Sequence, residues 1–233
     1  MKFRIDEEIF RDFDHPFIGV IVACGVDNHG TNPEIAPLLR AAEAELKKQF
    51  EGVEVTEHHH IVPWREAYQK FGAKPREFRC SAEALSRIVL RGNELRNISK
   101  LVDVYNYISI KYILPVGGED IDRMQGDLVL TYATGDEPYS ALGQDENDPP
   151  QKGEVVYKDD LGVLCRRWNW REGDRTKLTE DTTNAVLVIE SLSPIPQELA
   201  QKATNELAEL VKKYCGGEIQ VHFLDENNRE ADL

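Results

Sequence analysis

Ser99-Lys-Leu-Val-Asp-Val-Tyr-Asn-Tyr-Ile-Ser-Ile-Lys-Tyr-Ile-Leu-Pro-Val-Gly-Gly118 is the stretch on which the reading of the fold turns. Leu101, Tyr105, Ile108 and Tyr112 recur at helical spacing behind Ser99, a residue type that caps helix starts, and Pro115 stops the pattern because a proline disfavours helical geometry in the residue before it. Gly117-Gly118 reads as a turn whose main-chain N–H groups a ligand can approach closely and which can hold an oxyanion; the plain alternative is a connection with no other role.

Before this stretch the chain reads as one strand and then helices. Phe17 to Cys24 is a short β-branched apolar run, the signature of a buried strand. Pro33 to Phe50 carries Ile35, Leu39, Ala42, Leu46 and Phe50 at helical spacing, Trp64 to Phe71 is a second helix, and Ser81 caps a third that stacks Leu85, Ile88 and Val89 before Gly92. After it come short strands, Asp127–Ala133, Glu154–Tyr157, Leu161–Arg166 and Ala185–Ser191, with a long polar connection at Gln144–Lys152. A helix over Pro196–Tyr214 and a strand over Ile219–Phe223 close the chain. Strands and helices are grouped rather than alternating, which predicts an α+β fold instead of a doubly wound sheet. At 233 residues the chain is expected to form one domain, 1–233.

The chain carries 28 Lys+Arg against 42 Asp+Glu, a formal charge of −14. Such a field repels phosphates, so a DNA-binding or membrane-surface role is not expected unless one patch reverses the sign. The four cysteines are scattered without a CxxC pair, and the N-terminus has no apolar leader; a reducing, cytoplasmic location without a membrane anchor is expected. There is no nucleophile elbow, GxGxxG or GxxxxGK[ST] loop, so triad hydrolases, dehydrogenases and kinases drop out and no cofactor is implied. His58-His59-His60 has no predictable third ligand and reads as a polar strand end, leaving no metal expected.

Three features carry candidate chemistry. Arg166-Arg-Trp-Asn-Trp-Arg171, with Arg175 and Lys177, places five basic residues against two acidic ones within 166–177. It is either a patch for phosphate or carboxylate recognition with rings for stacking, or a hairpin whose arginines pair with nearby acids. Glu190, at the end of Ala185-Val-Leu-Val-Ile-Glu190, shares a strand face with Val186 and Val188. It either emerges among aliphatic groups, which raises its pKa, or faces solvent at a strand terminus. Asp103 and Asn106 lie three apart on the helix that carries Tyr105, placed to point together to a site or simply to brace a loop.

Phe71-Gly-Ala-Lys-Pro-Arg-Glu-Phe-Arg-Cys-Ser81, Asn97-Ile-Ser-Lys-Leu-Val-Asp-Val-Tyr-Asn-Tyr107, Pro115-Val-Gly-Gly-Glu-Asp-Ile-Asp122 with Gly126-Asp127, and Leu178-Thr-Glu-Asp-Thr-Thr-Asn-Ala-Val-Leu-Val-Ile-Glu-Ser191 together resemble the B3/B4 domain of the bacterial phenylalanyl-tRNA synthetase beta subunit. The likeness spans about residues 60–195, with a strand-helix and a helix-strand as flanks. It implies layered β-sheets flanked by helices, a β/β/α sandwich around an amino-acid-sized pocket. It also implies the family's editing chemistry, here by a free-standing protein too short to be a ligase: hydrolysis of mischarged aminoacyl-tRNA at the acceptor end. The alternative is a non-catalytic module that binds a free amino acid or another small ligand.

Carried over by position, Glu190 stands where the family recognises the phenol of tyrosine, and Asn106 lies on its Asn-Tyr motif. Gly117 replaces the histidine of the family's Pro-Leu-His-Ala-Phe-Asp, and Arg167-Trp168-Asn169-Trp170 replaces its glycine-rich turn. On this reading Gly117, Gly118 and Glu190 are catalytic. Asn106, Tyr105, Arg167, Trp168, Asn169, Trp170 and Ser191 hold the substrate, and Arg166, Arg171, Arg175 and Lys177 meet RNA.

Overall fold

The computed structural model describes residues 1–233. Ten strands form two sheets. The smaller is antiparallel throughout, in the order β3 (Val116–Asp120), β8 (Asn184–Ser191), β2 (Phe17–Cys24), β9 (Glu218–Leu224). The larger runs β10 (Glu230–Asp232), β1 (Lys2–Ile5), β4 (Leu128–Tyr132), β5 (Val155–Asp159), β6 (Gly162–Arg166), β7 (Arg171–Glu172), with β1 and β4 parallel and the other pairs antiparallel. The helices are α1 (Glu7–Asp12), α2 (Ile35–Gln49), α3 (Val62–Lys70), α4 (Ser81–Leu90), α5 (Lys100–Tyr112) and α6 (Gln197–Cys215). The architecture is the α+β class that the grouping of elements predicts, with the layered sheets and flanking helices that the resemblance implies.

Strand alternation makes the small sheet two-faced. Ala185, Leu187 and Ile189 of β8, with Ile21 and Ala23 of β2, face Leu101, Val104 and Ile108 of α5 and Ala200, Ala203, Leu207 and Val211 of α6. Val186 and Val188, with Ile18, Val20 and Val22, face the other way, into a core shared with Phe3, Leu128, Leu130, Val155, Tyr157 and Leu164 of the large sheet. The helix α6 approaches β2 so closely that a Cβ on Gly19 would lie 1.9 Å from Thr204 Oγ1, which is why that strand position carries no side chain.

Several local expectations change. Gly117-Gly118 is not a turn but the middle of β3, in register with Val188 and Leu187; the turn is made earlier, where Ile113 takes left-handed backbone (φ 54°) after α5. Cys80, not Ser81, caps α4, its Sγ accepting from Glu83 N at 3.4 Å. Ser99 flanks α5 without a side-chain cap bond. The three histidines belong to a turn leading into α3 rather than a strand. The His58 ring lies tilted against Phe50 and His60 Nδ1 lies 2.9 Å from the Tyr112 carbonyl, so these two buried imidazoles brace the core, and burial lowers the His58 pKa to about 4. The strands β1 and β10 and the helix α1, none of them expected from the sequence, come from the two chain ends, which pair with each other and with β4.

Candidate functional site

The cavity-facing side of the small sheet, together with α4, α5 and the segment after β6, encloses a cavity of about 440 Å³. Its lining is mainly apolar: Leu128, Val186, Val116 and Trp168 are buried and Val188 half-buried. Its lining includes two exposed apolar side chains, Ile98 (59% exposed) and Leu142 (45%).

Glu190 stands at the closed end, 1% exposed. Its Oε1 accepts from Trp168 Nε1 at 2.7 Å and from Tyr157 Oη, and its Oε2 accepts from Asn169 Nδ2 at 2.7 Å. Burial pushes its pKa up to about 7, and the three donors limit the rise. The strand face read from the sequence is therefore the right one, and the aliphatic setting is real. The Tyr157 phenol was not foreseen: the carboxylate that the resemblance assigns to a substrate phenol already receives one from the chain itself.

The segment that supplies two of those donors has an unusual backbone. Arg167 and Trp168 both lie in the left-handed region (φ 47° and 65°), a conformation glycine adopts freely and bulky residues rarely do. The turn geometry expected of glycines is thus kept by non-glycine residues. What offsets the strain is visible: Trp168 is fully buried, edge-on to Trp64 and Phe13, with its N–H on Glu190. Asn169 is oriented by Tyr68, whose hydroxyl donates to Asn169 Oδ1 at 2.9 Å.

The two glycines contribute differently from expectation. Glu190 N donates to Pro115 O at 3.1 Å, so in this register Gly117 and Val188 form a hydrogen-bonded pair and the Gly117 N–H is committed to the ladder. The Gly118 N–H points to the opposite edge of β3, beside the segment where Asp120 N donates to Thr176 O at 2.8 Å. Amides of a strand lie in the plane of its sheet, whereas the cavity lies on its face, so neither is aimed at a reacting group. What Gly117 supplies is room: a Cβ there would meet nothing within 4 Å.

Of the other predicted residues, Tyr105, Asn106, Trp170, Arg171 and Lys177 line the cavity. Ser191 does not, because it falls on the opposite face of β8 from Glu190. Asp103 is also directed elsewhere, accepting from Ile98 N (2.7 Å) and Asn97 Nδ2 (2.8 Å) to brace the loop before α5.

The basic segment is mostly an internal ion-pair network. Arg166, 2% exposed, chelates Glu154 (2.7 and 2.9 Å) and reaches Asp148 (2.6 Å). Arg167 is buried over the Phe78 and Trp170 rings with Glu154 at 3.4 Å, and it lies outside the cavity. Arg175 forks onto Asp159 (2.6 and 2.9 Å), and Lys177 holds Asp174 at 2.7 Å. Arg166 and Arg167 are therefore unavailable to a phosphate, and the hairpin alternative describes them and Arg175; the exposed Arg171 at the rim is the guanidinium left to face a ligand.

Sequence reasoning missed Tyr157, Cys165, Glu119 and Glu172 in the lining. Glu119 was legible in principle: once 116–120 is read as a strand, alternation puts it on the face of Gly117. Glu172 was not, since only the pairing of β6 with β7 brings it there.

A B3/4 domain model matches residues 63–216, more than half of the chain. The phenylalanine–tRNA ligase beta subunit of Ruegeria pomeroyi is 37% identical over 98 residues, and that of Psychrobacter arcticus 32% identical over 101; these alignments take in 42% and 43% of this chain. They cover 12% of each relative, so the chain corresponds to a small part of those subunits. Among solved structures, an N-terminal fragment of the phenylalanyl-tRNA synthetase beta subunit from Pyrococcus horikoshii superposes with a TM-score of 0.45 at 13% identity, over 93% of this chain and 49% of the other. Given the extent of the family match, this chain belongs to the B3/4 domain family.

Proposed function

We propose that the cavity receives the aminoacyl end of a charged tRNA and that the protein hydrolyses mischarged species in trans, with residues 1–233 acting as one unit. The observation that carries this reading is Glu190, a buried carboxyl at the closed end of an amino-acid-sized apolar cavity, in a member of a family whose matching relatives are tRNA ligase subunits. An aminoacyl ester is already activated, so hydrolysis needs a placed water and a fixed acyl group more than a nucleophilic triad. Asn106 and Tyr105 on α5 flank the acyl position, and the space above Gly117 admits the water or the ligand. Because Tyr157 occupies Glu190, the preferred side chain is not a phenol.

A second reading is favoured by specific geometry. The Gly117 and Gly118 amides point away from the cavity and most of the arginines near it are paired internally, which suits a pocket that binds an amino acid or another small ligand without turning it over. A deacylation assay across a panel of mischarged tRNAs separates the two. Turnover of at least one non-tyrosine ester, with the profile altered in Glu190→Ala, supports the hydrolase; tight binding of a free amino acid without turnover of any ester establishes the second reading.

A further inference from the structure

The cavity also holds an acidic pair, Glu119 with Glu172, that the proposed hydrolysis does not use. Glu119 lies on β3 on the face of Gly117, opposite Val186, and so about 13 Å along β8 from Glu190 at the rise of an extended strand. It is 6% exposed, and its Oε2 has no hydrogen-bond partner in the chain. Glu172 on β7 lines the same cavity, near enough for its carboxyl to raise that of Glu119. Burial and the neighbouring acid push Glu119 well above the ordinary carboxyl range, and burial raises Glu172 as well, so the pair favours holding a proton over carrying two charges.

The other groups around the pair do not neutralise it. Thr176 and the thiol of Cys165 are uncharged, as is Tyr105, and burial pushes both the thiol and the phenol up. Arg175 is forked onto Asp159, Lys177 is held by Asp174, and Arg171 is exposed at the rim. Two carboxyls lining one cavity, Glu119 buried and Glu172 half-buried, are costly to ionise together when neither is paired with a cation, and an ammonium nitrogen replacing a proton there gives each a charge-assisted hydrogen bond.

We propose that Glu119 and Glu172 form an ammonium-binding station for the ligand of this cavity. It rests on the aminoacyl reading for the identity of the amine. The station lies on the mouth side of the cavity, where the α-ammonium beside an ester would sit, and a side-chain ammonium has the same chemistry.

Calorimetry on the full chain with four inert amides resolves the source: norleucinamide, Nα-acetylnorleucinamide, lysinamide and Nα-acetyl-lysinamide. The expected result is at least about tenfold tighter binding of norleucinamide than of its Nα-acetyl form, with binding releasing a proton, and a ratio near one in Glu119→Gln and Glu172→Gln. A preference for both lysine amides over both norleucine amides instead assigns the ammonium to the side chain and also supports the station. Equal affinity for all four amides, no binding of any, or an unchanged ratio in both variants overturns it. The wild-type comparison stands even if a variant folds poorly. Deacylation of a mischarged tRNA at wild-type rate and KM in Glu119→Gln removes the station and leaves the hydrolase; amide binding without turnover of any ester does the reverse.

Discussion

At the scale of single residues, Glu190 shows how a strand position comes to hold a buried carboxyl with a raised pKa. Alternation with Val186 and Val188 places its carboxyl in the core, and three donors from Tyr157, Trp168 and Asn169 keep it there. Its folded pKa of about 7 lies above the ordinary carboxyl value of 4.5, so between these values the folded chain binds more protons than the unfolded one. Its contribution is therefore fully present at low pH and is lost as pH rises towards 7, by roughly 3 kcal/mol at most. Glu119 and Glu172, raised likewise, act in the same direction. Urea denaturation at pH 5 and pH 8 should show wild-type stability falling over this interval and a shallower fall in Glu190→Gln. Equal pH dependence in the two proteins would show that Glu190 is not the titrating group.

At the scale of elements, β3 and the segment after β6 set the shape of the site. The two glycines of β3 are adjacent yet face opposite environments. A Cβ on Gly118 would lie 2.4 Å from Leu187 Cδ2 and 3.0 Å from the Val186 carbonyl, whereas one on Gly117 meets open cavity. Gly118→Ala should cost about 1–3 kcal/mol through forced movement of β8, and Gly117→Ala should leave the denaturation midpoint nearly unchanged while weakening ligand binding. Comparable destabilisation by both would contradict this division. Neither difference was legible as long as Gly117-Gly118 read as a turn. Two glycines signal conformational freedom, but here both are extended: packing against Leu187 and Val186 requires Gly118, while Gly117 leaves open space in the cavity.

At the scale of the whole molecule, charge limits how RNA can be held. A net charge of −14 repels a polyanion, and the basic run 166–177 is largely neutralised by Glu154, Asp148, Asp159 and Asp174. No helix is long and apolar enough to cross a membrane. Of the cations lining the cavity, Arg171 is exposed and Lys177 partly so, which sets a small phosphate count. The logarithm of tRNA affinity should thus fall with the logarithm of salt at a slope no steeper than about −2, and Arg171→Ala should reduce it by about one. A slope near −6 would show that RNA engages basic residues well beyond the cavity rim.

The α+β grouping, most of the helices and the longer strands were set by local periodicity, and so was the face of Glu190, because burial on one side of a regular element imprints a repeat of 2 or 3.6 on the sequence. The motifs along residues 60–195 also carried the family. Tertiary structure alone decided what those residues meet. It joined the chain ends to β4, gave Glu190 a phenol from β5, turned Arg166 inward to Glu154, and brought Glu119 and Glu172 into one cavity. Such contacts join residues from 12 to well over a hundred positions apart, and whether an arginine faces RNA or an internal acid depends on which strand lies beside it, which local pattern does not encode.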